Sequence, residues 1–183
     1  MEGGSNREVS SQVNTDVTLE PCERRLLYRI IVGNNPVNFT DPLGLYGRDV
    51  HYDLTRQLAI EAGLNDCADT IAAADQDVDD NPATDPWLSK SNRELWHFPT
   101  AARVAEVVSI AMQSCKPQDL GRALHVVQDA YSHQGYPAWR GHLPKKSVDD
   151  PKTDPAKTQR MSAATTSTLQ QFKNKCTSIC CSK

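Results

Sequence analysis

The sequence predicts an all-α domain, and three observations carry that expectation. Beyond Tyr46, apolar residues recur at helical spacing, as Leu54, Leu58 and Ala59 do ahead of Gly63. No stretch after residue 46 alternates Val and Ile in the manner of a strand. His and Asp residues recur four apart, which places their side chains on one helix face. The expected architecture is a compact helical domain, residues 46–183, around a metal cluster. A short strand and loop segment, 26–45, and a disordered tail, 1–25, precede it.

The tail is rich in Ser, Asn, Thr, Gly, Asp and Glu, with too few apolar groups to offset the entropy of ordering. Leu26-Leu27-Tyr28-Arg29-Ile30-Ile31-Val32-Gly33 reads as a short strand, and Asn34-Asn35-Pro36 and Asp41-Pro42-Leu43-Gly44 as turns. Helices are expected at about 50–62, 66–79, 100–114, 118–132 and 157–175. The stretch from Asn81 to Phe98 is longer than a compact domain tolerates as a bare loop, so it calls for a function or a further short helix.

At 183 residues the chain has room for one domain plus a segment, and a mean hydropathy of -0.56 with 38% hydrophobic residues describes a soluble globular protein. No apolar run approaches the roughly 20 residues of a membrane helix, and the N-terminus lacks a basic region followed by an apolar one. Neither a membrane span nor a signal peptide is therefore expected. A net charge of -3 gives no general attraction to nucleic-acid backbones. The six cysteines contain no CxxC pair, which argues against a sulfur-ligated zinc site. A disulfide between Cys67 and Cys115 would suit an oxidising compartment, and pairing of Cys176, Cys180 and Cys181 is left open.

All five histidines follow residue 46. His125, Asp129 and His133 form a stripe along two helical turns that could hold one or two zinc ions. A solvated face or a simple His–Asp hydrogen bond is the alternative. Leu124, Val127 and Ala130 beside the stripe favour the metal, because an Asp near a core needs a compensating cation. Asp75 and Asp79 lie one turn apart on a helix, and either could face a metal or belong to an exposed acidic stretch. Asp77, Asp79 and Asp80 crowd that helix's C-terminus, where the macrodipole disfavours negative charge. His97, between Trp96 and Phe98, reads equally as a core histidine or a ligand. His51 reads as a ligand or a solvated helix end. His142 follows Gly141, whose missing Cβ lets backbone approach a site.

Two resemblances arise at these residues. Tyr28 to Leu45, ending Asp41-Pro42-Leu43-Gly44-Leu45, resembles the motif that closes the core of Rhs-repeat proteins just before their variable C-terminal toxin. The resemblance implies cleavage after Leu45 and a toxin domain at 46–183. It implies as partners an enclosing Rhs shell and a cognate immunity protein. It also implies secretion, or delivery into a target cell through a bacterial secretion system. The strand-rich repeats themselves are absent from these 183 residues.

The order Tyr46, His51, Asp75, His97, His125 with Asp129, His133 and His142 resembles the ligand order of zinc-dependent phospholipases C and the related trinuclear-zinc nucleases, an all-helical family. Ala73-Ala74-Asp75, His97-Phe98 and Leu124-His125-x3-Asp129 match its local wording. The resemblance implies two or three Zn2+ ions. Asp75, His97, His125 and a bridging Asp129 would hold one. His133 and His142 would hold a second. His51 would hold a third with the amine and carbonyl of Tyr46, and cleavage after Leu45 would complete that site. Two departures are visible: Lys146 stands where the family has an acid, for which Asp149, Asp150 or Asp154 would substitute, and His133 follows Asp129 by four residues rather than six.

The implied chemistry is phosphodiester hydrolysis, with Asp75 orienting or deprotonating the attacking water. Residues 46–183 carry 16 Lys+Arg against 17 Asp+Glu, which makes nucleic acid the less favoured substrate and phospholipid at a membrane surface the favoured one. Trp87, Trp96, Phe98, Tyr131, Tyr136 and Trp139 could touch lipid or stack on bases. A nuclease of the same fold and a degenerate, non-catalytic toxin remnant are the alternatives.

Overall fold

The computed structural model describes residues 47–136, 138 and 152–180. The tail, the 26–45 segment with its cleavage motif, Tyr46, His142, Asp149 and Asp150 lie outside the described residues. Among those described there are six helices and no strand, in keeping with the all-α expectation.

Helix α1 opens as a π-helical stretch, Asp49–Leu54, and continues as α-helix through Thr55–Glu61. Gly63 stops it as the sequence predicts. At φ 83° Gly63 turns the chain so that its N–H reaches the Ile60 carbonyl and the Leu64 N–H reaches that of Ala59, both at 2.9 Å. A 3-10 turn, Asn65–Cys67, leads into α2, Ala68–Asp80.

The long stretch expected after α2 does contain a further helix. Helix α3 begins at Lys90–Asn92, capped by Ser89, and runs into a second π-helical stretch, Arg93–His97. The chain before it is pinned: Thr84 Oγ1 donates to the Val78 carbonyl at 2.7 Å and Asn92 Nδ2 to that of Ala83 at 2.8 Å. The Arg93 guanidinium grips the Pro86 carbonyl. Helix α4, Ala101–Ser114, starts at Thr100, whose hydroxyl accepts the Arg103 N–H. Helix α5, Pro117–Ser132, and helix α6, Pro155–Lys175, each begin with proline, whose fixed φ suits the first helical position; Asp154 caps α6.

Helix α5 is the centre of the bundle and packs against α2, α4 and α6. Leu120, Leu124 and Val126 of α5 share one core with Ile71 of α2, Ala111 of α4, and Leu169 and Phe172 of α6. The α2–α5 approach is close because Gly121 has no side chain. A Cβ there would run into the Ile71 carbonyl and stand 2.8 Å from Ala74 Cβ. That closeness brings the polar face of α2 within reach of the histidine of α5.

Cys67 and Cys115 do not pair with each other, and two C-terminal cysteines take them as partners. Cys67 joins Cys180 and Cys115 joins Cys176, with Cα separations of 5.2 and 5.6 Å. The turn after α6 passes both the entry to α2 and the exit of α4, so each of those cysteines meets a C-terminal partner instead of the other. Among the described residues no helix is long and apolar enough to cross a membrane.

Candidate metal centre

The site forms where α1, α2, α3 and α5 meet beneath the core. Each contributes polar side chains that face inward: buried His51 from α1, Asp75 from α2, His97 from α3, and His125, Gln128 and Asp129 from α5, with the half-buried Asp79 of α2 at the edge. Both π-helical stretches supply a histidine. A π turn adds a residue to the helical repeat, and here it swings His51 and His97 out of the 3.6-residue phase of their neighbours and into the bundle.

Three imidazole nitrogens and two carboxylates surround one buried space. His125 Nε2 lies 3.3 Å from Asp129 Oδ2, 3.7 Å from Asp79 Oδ1 and 3.4 Å from His97 Nδ1. His97 Nδ1 lies 3.3 Å from Asp129 Oδ2 and 3.6 Å from Asp79 Oδ1. His51 Nε2 lies 3.6 Å from Asp129 Oδ1 and 3.8 Å from Asp79 Oδ2. Four tetrahedral ligands at zinc distances are separated from one another by about 3.3–3.4 Å, so this spacing fits a coordination sphere. Two overlapping groups, His51 with His125 and Asp129, and Asp79 with His97 and His125, could each hold a metal ion, and His125 belongs to both. The outer nitrogen of His97, Nε2, is 3.1 Å from the Thr84 carbonyl, which leaves Nδ1 as a lone pair facing the carboxylates.

The electrostatics draw positive charge into this space. Burial and the charge of His125 oppose protonation of His51, yet Asp75 and Asp79 outweigh them and its pKa is raised. Burial also opposes protonation of His125, but Asp129, Asp75 and Asp79 hold its pKa well above the ordinary value. Burial alone would keep Asp129 neutral; His133, His125 and His97 hold its pKa well below the carboxylate range. Protons and a metal cation compete for the same demand.

The residues singled out from the sequence divide by position. His51, His97, His125, Asp129 and Asp79 are brought together. Asp75 is placed behind the rings, its Oδ1 3.1 Å from His51 Nδ1 and 3.4 Å from His125 Nδ1, on the side away from the nitrogens that converge. Of the two α2 carboxylates it is Asp79, one turn on and 29% exposed, that faces the space. His133 is the C-cap of α5: its N–H still reaches the Asp129 carbonyl at 2.9 Å, and the ring stacks on Phe98 with centroids 4.1 Å apart. There Nδ1 meets the His97 carbonyl and stays 3.8 Å from Asp129 Oδ2.

Thr55, Gln128 and the Thr84 carbonyl are partners that the sequence reading passes over. Gln128 Oε1 is 2.7 Å from His51 Nδ1, and its Nε2 is 2.7 Å from Thr55 Oγ1. Thr55 follows His51 by four residues and Gln128 follows His125 by three, so the helical arithmetic applied to charged residues would have found them among neutral ones. No protein-family model matches the chain, and no curated protein or solved structure does either.

Proposed function

We propose that the chain is a zinc-dependent phosphodiester hydrolase, a toxin domain that cleaves phospholipid head groups in the manner of a phospholipase C. The observation that carries the reading is the convergence of His51, His97, His125, Asp79 and Asp129 in one buried space, a donor set of nitrogens and carboxylate oxygens suited to zinc. Zinc in such a setting supplies Lewis-acid polarisation of a phosphoryl oxygen and a hydroxide nucleophile near neutral pH. The protein's part is to hold these five groups in place and to keep water away from their inner side. Among the carboxylates Asp79 is the one open to solvent, since Asp75 and Asp129 are buried. The attack-orienting role that the resemblance gives to Asp75 therefore falls more naturally to Asp79.

Two further observations support phospholipid over nucleic acid. The helical domain has no excess of positive charge. Trp87 and Leu88, 79% and 69% exposed, stand on the same segment that carries Thr84 and leads to His97. The Rhs-like motif ahead of residue 46 supports delivery through a bacterial secretion system, with an Rhs shell and an immunity protein as partners. The test is elemental analysis of the full chain, followed by assays on phosphatidylcholine vesicles and single-stranded DNA. At least one zinc per chain with phosphocholine release, lost on chelation, is the expected result. DNA cleavage alone would move the protein to the nuclease reading, and a chain without zinc or either activity would leave a degenerate remnant.

A further inference from the structure

We infer that Asp75 is a positioning residue rather than a metal ligand: it fixes the tautomer of His51 through Thr55 and Gln128, and that of His125 directly, so that both present Nε2 to the metal. This deepens the metal-binding reading and rests on it. The direction of the hydrogen bonds follows from what each group can do. A carboxylate only accepts, so the single hydroxyl proton of Thr55 goes to Asp75 Oδ2, 2.7 Å away. Thr55 Oγ1 must then accept from Gln128, which sets the amide nitrogen toward Thr55 and the amide oxygen toward His51. An amide oxygen 2.7 Å from His51 Nδ1 requires the proton on Nδ1. Asp75 Oδ1, 3.1 Å from the same nitrogen but not aligned to accept its proton, adds charge attraction to that N–H.

His125 is set by the same carboxylate. Its Nδ1 and Asp75 Oδ1 are both buried without a well-aligned hydrogen bond, and they stand 3.4 Å apart. A bare Nδ1 would place a lone pair against a carboxylate where water cannot intervene, whereas a proton there converts repulsion into attraction. Asp75 thus serves two rings from one position, and all of its donors lie on the side away from Asp79 and Asp129. In zinc sites such outer acceptors typically contribute 10- to 100-fold in metal affinity.

The test uses the full chain in zinc-loaded and cobalt-loaded forms of the wild type and of Asp75→Asn, Gln128→Leu and Gln128→Glu. Zinc affinity is measured by chelator competition, ring tautomers by long-range proton–nitrogen NMR, and coordination by the visible bands of Co2+. Asp75→Asn is expected to weaken zinc about 10- to 100-fold, to weaken or lose the Nδ1–H signals of His51 and His125, and to leave the cobalt bands in place. Gln128→Leu is expected to perturb His51 alone. Gln128→Glu, which keeps an acceptor opposite Nδ1, restores the His51 signal. A shift of the cobalt bands in Asp75→Asn would make Asp75 a ligand and overturn the inference, as would wild-type affinity with unchanged tautomers. Absence of zinc uptake by the wild type would overturn the metal-binding reading itself. Should Asp75→Asn fail to fold, the Gln128 pair decides by the same signals.

Discussion

Helix α5 and the two π-helical stretches contribute to the same site by different rules. In α5, His125 and Asp129 sit one α-helical turn apart with Leu124 and Val126 on the core, and the ion pair between them, 3.3 Å, is local to the helix. His51 and His97 have no such local partner. Each stands in a segment whose repeat is stretched, Asp49–Leu54 and Arg93–His97, and each meets its carboxylates only after the chain has folded. A regular helix lays out half of the site in advance. The irregular turns deliver the other half by tertiary contact.

The largest effect should come from the group common to both halves. His125→Ala is expected to lower zinc affinity by about 30- to 1,000-fold, taking a binding free energy of order 10–16 kcal/mol shared among four or five ligands. His51→Ala and His97→Ala should each cost less, because the remaining imidazoles still meet Asp79 and Asp129. Equal losses in all three variants would erase the distinction between the halves. A sharper version deletes Asp53, which returns the start of α1 to α-helical phase. Zinc affinity should then fall as far as in His51→Ala while helicity by circular dichroism stays the same or rises.

Gly121→Val tests the contact that joins α2 to α5. The added side chain meets the Ile71 carbonyl and Ala74, so a loss of about 1–3 kcal/mol in unfolding free energy is expected by denaturant titration. Reducing the two disulfides, whose loops span 113 and 61 residues, should remove about 2–4 kcal/mol each by the same measurement.

The pH dependence should invert between metal-free and zinc-loaded protein. Without metal, the raised pKa of His125 contributes stability that is fully present below pH 6.5 and is lost as pH rises through its folded value. The lowered pKa of Asp129 contributes stability present above pH 3.8 and lost as pH falls through its folded value. With zinc bound, protons compete with the ion, so the stabilisation by zinc grows with pH as the histidines deprotonate. Thermal melts with and without zinc across pH 5–9 should therefore diverge toward the alkaline end.

What was legible in the sequence follows the same division. Helices α2, α4, α5 and α6 follow from apolar periodicity, to within a few residues at their ends. The His125–Asp129 pair follows from spacing alone. Asp79 and Asp75 could not be ranked, because the choice depends on how closely α2 approaches α5 at Gly121, a contact between residues about fifty apart. His133, at the C-cap of α5, stays beside Asp129 at 3.8 Å as the four-residue spacing implies, and its stacking on Phe98 is a tertiary contact that spacing does not encode. The disulfide partners were hidden because they depend on where the segment after α6 runs, which periodicity does not encode. Thr55 and Gln128 carry no charge, and their value appears only in the direction of a hydrogen-bond chain.

Zinc K-edge X-ray absorption of the full chain tests the central claim most directly. A loaded site with two or three imidazole nitrogens and one or two carboxylate oxygens at roughly 2.0–2.2 Å, losing imidazole scattering in His51→Ala and in His97→Ala alike, is the predicted result. A zinc shell unchanged by either substitution, or a chain that takes up no zinc, would contradict it.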